Sequence, residues 1–144
     1  MDRYSCIIIE DEPLAMERTR DFVTKIPFLT LCATFDNALH GLVYLKQHDI
    51  DVLFLDINMD ELSGIELLES SKIKSQVIIT TAYQEYALKG YELNVTDYLL
   101  KPFTFNRFLQ AVNKIEHKLK IVDSLPTANS VDYIFVKTEN SSKK

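Results

Sequence analysis

Four apolar residues, Val52-Leu53-Phe54-Leu55, run without a break into a carboxylate, Asp56. An apolar run of this length suits a strand covered on both faces, as in a parallel sheet. The start of the chain repeats the pattern, because Cys6-Ile7-Ile8-Ile9 ends in Glu10-Asp11-Glu12-Pro13. Open α/β sheets bind their ligands at the carboxyl ends of strands, so both acidic ends fall where such a sheet does its chemistry. A bare carboxylate there is a nucleophile, a metal ligand or both. The bland alternatives are a loop aspartate capping the next helix and, for Glu10 to Glu12, compensation of a helix dipole.

The rest of the chain supplies partners for these two strands. Pro13 suits the first turn of a helix, where its missing N–H is not needed. Ala15, Phe22, Val23 and Ile26 then form a candidate buried stripe, with Glu17, Arg18, Arg20 and Asp21 toward water. Phe28 to Phe35 reads as a second strand. Asp36 is the expected N-cap of a helix carrying Leu39, Leu42, Val43 and Leu45. His40 and His48 on or near that helix read as surface or packing residues. After the Val52–Leu55 strand, Met59 to Gly64 reads as a loop, and Ile65, Leu67 and Leu68 suggest a short third helix. Gln76 to Thr80 is a fourth strand ending at Thr81-Ala82, and Gln84 to Glu92 a fourth helix weakened by Gly90. Asp97 to Leu100 is a fifth strand, followed by Lys101-Pro102-Phe103. The last helix starts near Thr104, with Phe105, Phe108, Val112, Ile115, Leu119 and Val122 alternating at spacings of three and four. That stripe packs most simply on the sheet. The helix is longer than so narrow a sheet requires, which makes its second half a candidate dimer contact, though too short for a coiled coil.

Strand ends brought together gather like charges, and carboxylates at one site repel each other. A hard divalent cation removes that cost. Mg²⁺ in particular is held by one or two carboxylates, waters and phosphate oxygens. A Mg²⁺ site made by Asp11, Asp56 and Glu10 is therefore expected. Thr81 is either an ordinary β-former or a hydroxyl beside this cluster, able to bond a phosphoryl oxygen. Lys101 is either an exposed turn lysine or a fixed cation aimed at the carboxylates. The Lys101–Pro102 bond can be cis, a geometry that would help hold the lysine inward.

Composition narrows the class. The 144 residues suit one domain with a short extension, and 47% hydrophobic content is ample for a core. Three Gly and four Pro argue against a disordered or fibrous chain. A net charge of -5 creates no field for nucleic acid or an anionic membrane. Met1 to Ser5 leads straight into the first apolar run, leaving no room for a secretory signal, and no apolar run approaches membrane-spanning length. Cys6 and Cys32 lack a CxxC spacing and are expected as two reduced, buried thiols in a cytoplasmic protein.

Five strands alternating with five helices argue for a doubly wound parallel sheet. Acidic residues end strands one and three, Thr ends strand four, and Lys-Pro follows strand five. With these motifs in this order, the chain resembles the receiver domain of two-component response regulators over about residues 4 to 120. The resemblance implies a flavodoxin-like (βα)5 fold with strand order 2-1-3-4-5. It also implies Asp56 as phosphoacceptor, and Glu10, Asp11, Asp56 and the backbone carbonyl of Asn58 as Mg²⁺ ligands. Lys101 becomes the phosphoryl-binding lysine, Thr81 the switch hydroxyl and Tyr98 the switch aromatic, while Gly64 matches the glycine of the loop after the acceptor. Two departures are visible. The acidic pair is Glu-Asp where the family often has Asp-Asp, and Asp60 stands where Pro often follows the Met. Asp132-Tyr133-Ile134-Phe135-Val136-Lys137-Thr138 resembles the first strand of a LytTR-type DNA-binding domain. Glu12-Pro13-Leu14-Ala15 and Thr81-Ala82-Tyr83 resemble the same subfamily. The expected organisation is a receiver domain at 1–121, a linker at 122–131 and an output-domain stub at 132–144, from a longer transcription regulator.

The implied activity is acceptance of a phosphoryl group from the phosphohistidine of a sensor histidine kinase, with Mg²⁺ offsetting charge and Thr81 and Tyr98 switching a surface. The chain is then a phosphoacceptor rather than an enzyme. It would form a homodimer through the last helix or the strand-five face, meeting DNA only through the output domain and no membrane. Two rivals stay open. A Mg²⁺-dependent phosphohydrolase of the haloacid dehalogenase type needs a second Asp two residues after its nucleophile, where this chain has Asn58. An unphosphorylated receiver-like interaction module would usually lack the acceptor, the acidic pair or the lysine, all of which are present.

Overall fold

The computed structural model describes residues 3–57, 66, 72–83 and 95–124. Among them, five strands form one sheet: β1 (Tyr4–Ile9), β2 (Leu29–Phe35), β3 (Val52–Asp56), β4 (Gln76–Thr81) and β5 (Asp97–Leu100). All neighbours are parallel and the order is β2-β1-β3-β4-β5, as the sequence resemblance implied. The chain leaves β1 toward one edge and returns to place β3 on its other side. The switch of direction therefore falls between β1 and β3, the crevice where such sheets bind ligands. Ile9 pairs with Leu55, so the next residues, Glu10 and Asp56, leave neighbouring strands at the same level.

Alternation along each strand sends successive side chains to opposite faces. Cys6, Ile8, Phe54, Ile78 and Leu99 pack on α1 (Pro13–Thr24) and α3 (Phe105–Ser124). Ile7, Ile9, Leu53, Leu55, Val77 and Ile79 pack on the side of α2 (Ala38–Gln47). Phe108 of α3 lies at the centre of the first layer, with ring centroids 5.4 Å from both Phe22 and Phe54. Thr104 starts α3 by accepting the Arg107 N–H on its hydroxyl at 3.1 Å. The helix runs to Ser124, inside the segment expected as a linker. No helix among the described residues is long and apolar enough to cross a membrane.

Several local expectations are corrected. The N-cap of α2 is Asn37, not Asp36: its side chain accepts the His40 N–H at 2.8 Å, while Asp36 still belongs to the turn out of β2. Leu39 and Val43 face water, because α2 lays Ala38 and Gly41 on the sheet, with Leu42, Tyr44 and Leu45 partly buried against the same layer. The α1 face buries Thr19 with Phe22 and Val23, whereas Ala15 is only half-buried. Cys6 is buried as expected, but Cys32 is exposed. The pairing of β1 with β2 steps from Leu31 to Ala33 between Cys6 and Ile7, so Cys32 is the extra residue of a bulge on an edge strand. Burial and the nearby Cys32 push the Cys6 thiol up to about 12. The Met59–Gly64 loop, the expected fourth helix and the 132–144 stub lie outside the described residues; of the expected third helix only Glu66 is described, and it is helical.

Candidate functional site

Four of the five strands deliver polar groups to the site at their carboxyl ends, because the apolar run stops where the sheet stops. Glu10 and Asp11 follow β1, Asp56 ends β3, Thr81 ends β4 and Lys101 follows β5. The Lys101–Pro102 bond is cis. The Lys101 N–H donates to the Thr81 carbonyl at 2.6 Å, tying the ends of β4 and β5 together.

Glu10, Asp11 and Asp56 each bring a carboxylate oxygen to within 4.8 Å of the others. Glu10 and Asp56 are buried, at 2% and 3% exposure, and Asp11 is more open to solvent. Lys101 reaches across from β5, its Nζ 2.8 Å from Glu10 Oε1 and 3.3 Å from Asp56 Oδ1. Burial works against the charge of that ammonium. The hydrogen bond to Glu10 and the charges of Asp56 and Glu10 outweigh it, holding Lys101 above the usual lysine value. The sequence left Lys101 open between a turn residue and a fixed cation; in the structure it faces the carboxylates. Glu12 does not join them. Its carboxylate turns away to cap α1, accepting from Leu14 N at 3.3 Å and Ala15 N at 2.7 Å. Glu10 Oε2 in turn accepts the Glu12 N–H at 3.2 Å, which orients the acidic loop.

One ammonium against three carboxylates leaves the cluster net negative. The donors are hard oxygens, the type Mg²⁺ selects. Mg–O distances of about 2.0–2.1 Å put ligand oxygens about 3 to 4 Å apart, so small side-chain rotations bring this cluster to that spacing. Glu10, Asp11 and Asp56 thus fit a divalent ion. Asn58 and Gly64 lie outside the described residues.

Thr81 is fully buried at the edge of this cluster. Its hydroxyl accepts the Tyr83 N–H at 3.0 Å and donates toward the Tyr83 carbonyl at 3.4 Å. Tyr98 pairs with Ile79 and Leu100 with Thr81, so alternation puts Tyr98 on the same face of the sheet as Thr81. Tyr98 is 37% exposed.

One set of residues joining β5 to α3 escaped the sequence reading. Asp97, buried in β5, is held by Arg107 through two contacts of 2.9 Å and by Lys114 at 3.3 Å, both from α3. Burial raises the Asp97 carboxyl, but the Arg107 hydrogen bonds, the Tyr98 N–H and the cations take it below its usual value. The available signal was an Asp opening the otherwise apolar run Asp97-Tyr98-Leu99-Leu100, a place that demands a cationic partner.

Residues 6–113 match the family model described as the response regulator receiver domain. The chain is 34% identical over 131 residues to the sensory transduction protein LytR of Staphylococcus haemolyticus, covering 89% of this chain and 49% of that protein. It is 38% identical over 112 residues to the transcriptional regulatory protein LytR of Staphylococcus aureus strain N315, covering 76% of this chain and 46% of that protein. The chain thus spans about half the length of the curated relatives it matches. Among solved structures, it is similar to the response regulatory domain of protein mrkE from Klebsiella pneumoniae, with a TM-score of 0.74 and 29% identity over 81% of this chain and 98% of that one. The REC domain of AraT, a response regulator from Geobacillus stearothermophilus, gives a TM-score of 0.74 and 28% identity over 84% of this chain and 98% of that one.

Proposed function

The chain belongs to the response regulator receiver domain family, and from that premise we propose that Asp56 accepts a phosphoryl group from the phosphohistidine of a sensor histidine kinase. What supports the reading most is the meeting of Asp56 with Glu10, Asp11 and Lys101 at the switch point of the sheet. An Asp56 carboxylate oxygen attacks phosphorus, the P–N bond breaks, and the imidazole of the kinase leaves with the electron pair. Lys101, already on Asp56, follows the charge onto a phosphoryl oxygen and stabilises it there. Glu10, Asp11, Asp56 and the carbonyl of Asn58 would hold Mg²⁺, which would supply positive charge to offset that of the carboxylates and the incoming phosphoryl group. An apolar groove lined by Leu14, Ala15, Phe22 and Phe103 opens beside Lys101 and gives the kinase an approach.

The Thr81 hydroxyl then exchanges its Tyr83 backbone contacts for a phosphoryl oxygen, and Tyr98 turns into the space it leaves. The output is transcription regulation. Residues 1–121 form the receiver, 122–131 a linker, and 132–144 the start of a LytTR-type DNA-binding domain through which alone DNA is met. The protein works in the cytoplasm as a phosphoacceptor rather than an enzyme, and pairs with a second copy through α3 or the β5 face.

Intact-mass analysis after incubation with acetyl phosphate and Mg²⁺, beside Asp56→Ala, tests the chemistry. One phosphoryl adduct, dependent on Mg²⁺ and absent from the variant, is expected. No adduct on a folded protein rejects Asp56 as acceptor and favours an unphosphorylated interaction module. Catalytic turnover of an aryl phosphate, lost in Asp56→Asn, points instead to the phosphohydrolase.

A further inference from the structure

The guanidinium of Arg107 is held at three points. It donates to Asp97 Oδ1 and Oδ2 at 2.9 Å each and to the Tyr98 carbonyl at 2.8 Å. Asp97 cannot easily yield, because its side chain is 4% exposed, Oδ1 also accepts the Tyr98 N–H at 2.8 Å, and Lys114 lies 3.3 Å from Oδ2. Arg107 is thereby a preorganised cation, and its Cζ lies 5.8 Å from the centroid of the Tyr98 ring. A cation over an aromatic face attracts it, and the attraction grows when the cation needs no ordering.

We infer that Arg107 is a positioning residue for Tyr98, holding the ring in its outward position so that movement toward Thr81 is opposed until the site is phosphorylated. The inference rests on the reading of Tyr98 as the switch aromatic and adds to it the restraint that sets the resting state. The Arg107 ties to Asp97 and to the Tyr98 carbonyl involve atoms that stay in place when the ring rotates. The ring contact is the one that rotation of the Tyr98 side chain changes, and only such a difference can bias the equilibrium. The restraint also links β5 to the first turn of α3, so the ring and the helix are coupled through one side chain.

The test uses the protein labelled with 3-fluorotyrosine, with the Tyr98 fluorine resonance assigned by Tyr98→Phe. Beryllofluoride with Mg²⁺ is the phosphoryl mimic that defines the inward position in the wild type. In Arg107→Gln without the mimic, the Tyr98 resonance is expected to move part way to that position. The inward-to-outward ratio should rise about two- to five-fold, and the rate of adduct formation from acetyl phosphate by a similar factor. Arg107→Lys keeps a charge against Asp97, and so the fold, but loses the planar fork; it should shift the resonance in the same direction. If both variants leave Tyr98 at its resting position, Arg107 is a structural brace and the inference is overturned. If the wild-type resonance ignores the mimic, Tyr98 is no switch, and the reading falls together with the inference drawn from it.

Discussion

The ammonium of Lys101 lies 2.8 Å from Glu10 and 3.3 Å from Asp56, and the sign of its response to alkali follows from that pairing. Its ordinary value is 10.5 and its folded value is higher. A group raised on folding contributes stability that is complete below the unfolded value and is lost as pH rises through the folded one. Lys101→Met should therefore lose about 2 kcal/mol at neutral pH, less than for a fully buried pair because the lysine is partly solvated. The gap to wild type in urea denaturation should hold up to about pH 10.5 and narrow above it; a constant gap across that window would show that the charge adds nothing. At this scale much was legible. Glu10, Asp11, Asp56, Thr81 and Lys101 each stand where an apolar run ends, and the position of a polar residue at a strand end is a local property. The Asp97–Arg107 pair was not legible, because strand and helix meet in that orientation only once the layer has packed.

At the scale of the element, α2 depends on a missing side chain. A Cβ built on Gly41 would lie 2.2 Å from Ile9 Cδ1 and 2.7 Å from Ile9 Cγ1. Ile9 is fully buried within its cluster, so it has little room to retreat. Gly41→Ala gains about 1 kcal/mol of helix propensity but forces overpacking that costs about 1–3 kcal/mol. A net loss of about 1 kcal/mol in chemical denaturation is expected, and a gain would show that the helix moves away freely. Hydrophobic spacing alone does not say which face of α2 turns inward: Leu39 and Val43 are exposed, and the close approach at Gly41 decides which face meets the sheet. The α3 stripe was read correctly at Phe108, Val112 and Ile115, because four turns of large residues overwhelm any single contact.

Across the whole molecule, the carboxylates come from different strands, so charge at the site acts on the stability of the entire sheet. Asp11→Asn relieves repulsion in the metal-free protein and removes a ligand in the presence of the ion. In chelator its Tm should exceed that of wild type. With saturating Mg²⁺ the order should reverse, since binding stabilises by RT ln(1 + [L]/Kd) and the variant binds less. The same rank order with and without Mg²⁺ would argue against these residues as a metal site. Self-association belongs to this scale as well. Ile121 on the far half of α3 is 46% exposed, and beryllofluoride is expected to increase the sedimentation coefficient if that helix or the β5 face pairs two copies. An unchanged monomer would remove dimerisation from the reading.

The sequence alone determined the class of fold and which polar residues stand at the strand ends. Apolar runs of strand length separated by helix-length segments leave few alternatives to a parallel sheet, and ligands of such sheets gather at one end. Tertiary structure decided which of the acidic residues come together. Glu10, Asp11 and Asp56 converge because β1 and β3 are neighbours in register, while Glu12, adjacent in sequence, caps α1. It also decided that Cys32 sits in an exposed bulge, that Gly41 rather than Leu39 meets the sheet, and that Arg107 reaches Asp97 and Tyr98 together. The physical reason is common to all of these. Propensity and periodicity are set by neighbours along the chain, whereas register, helix rotation and ion pairing are set by packing between segments distant in sequence.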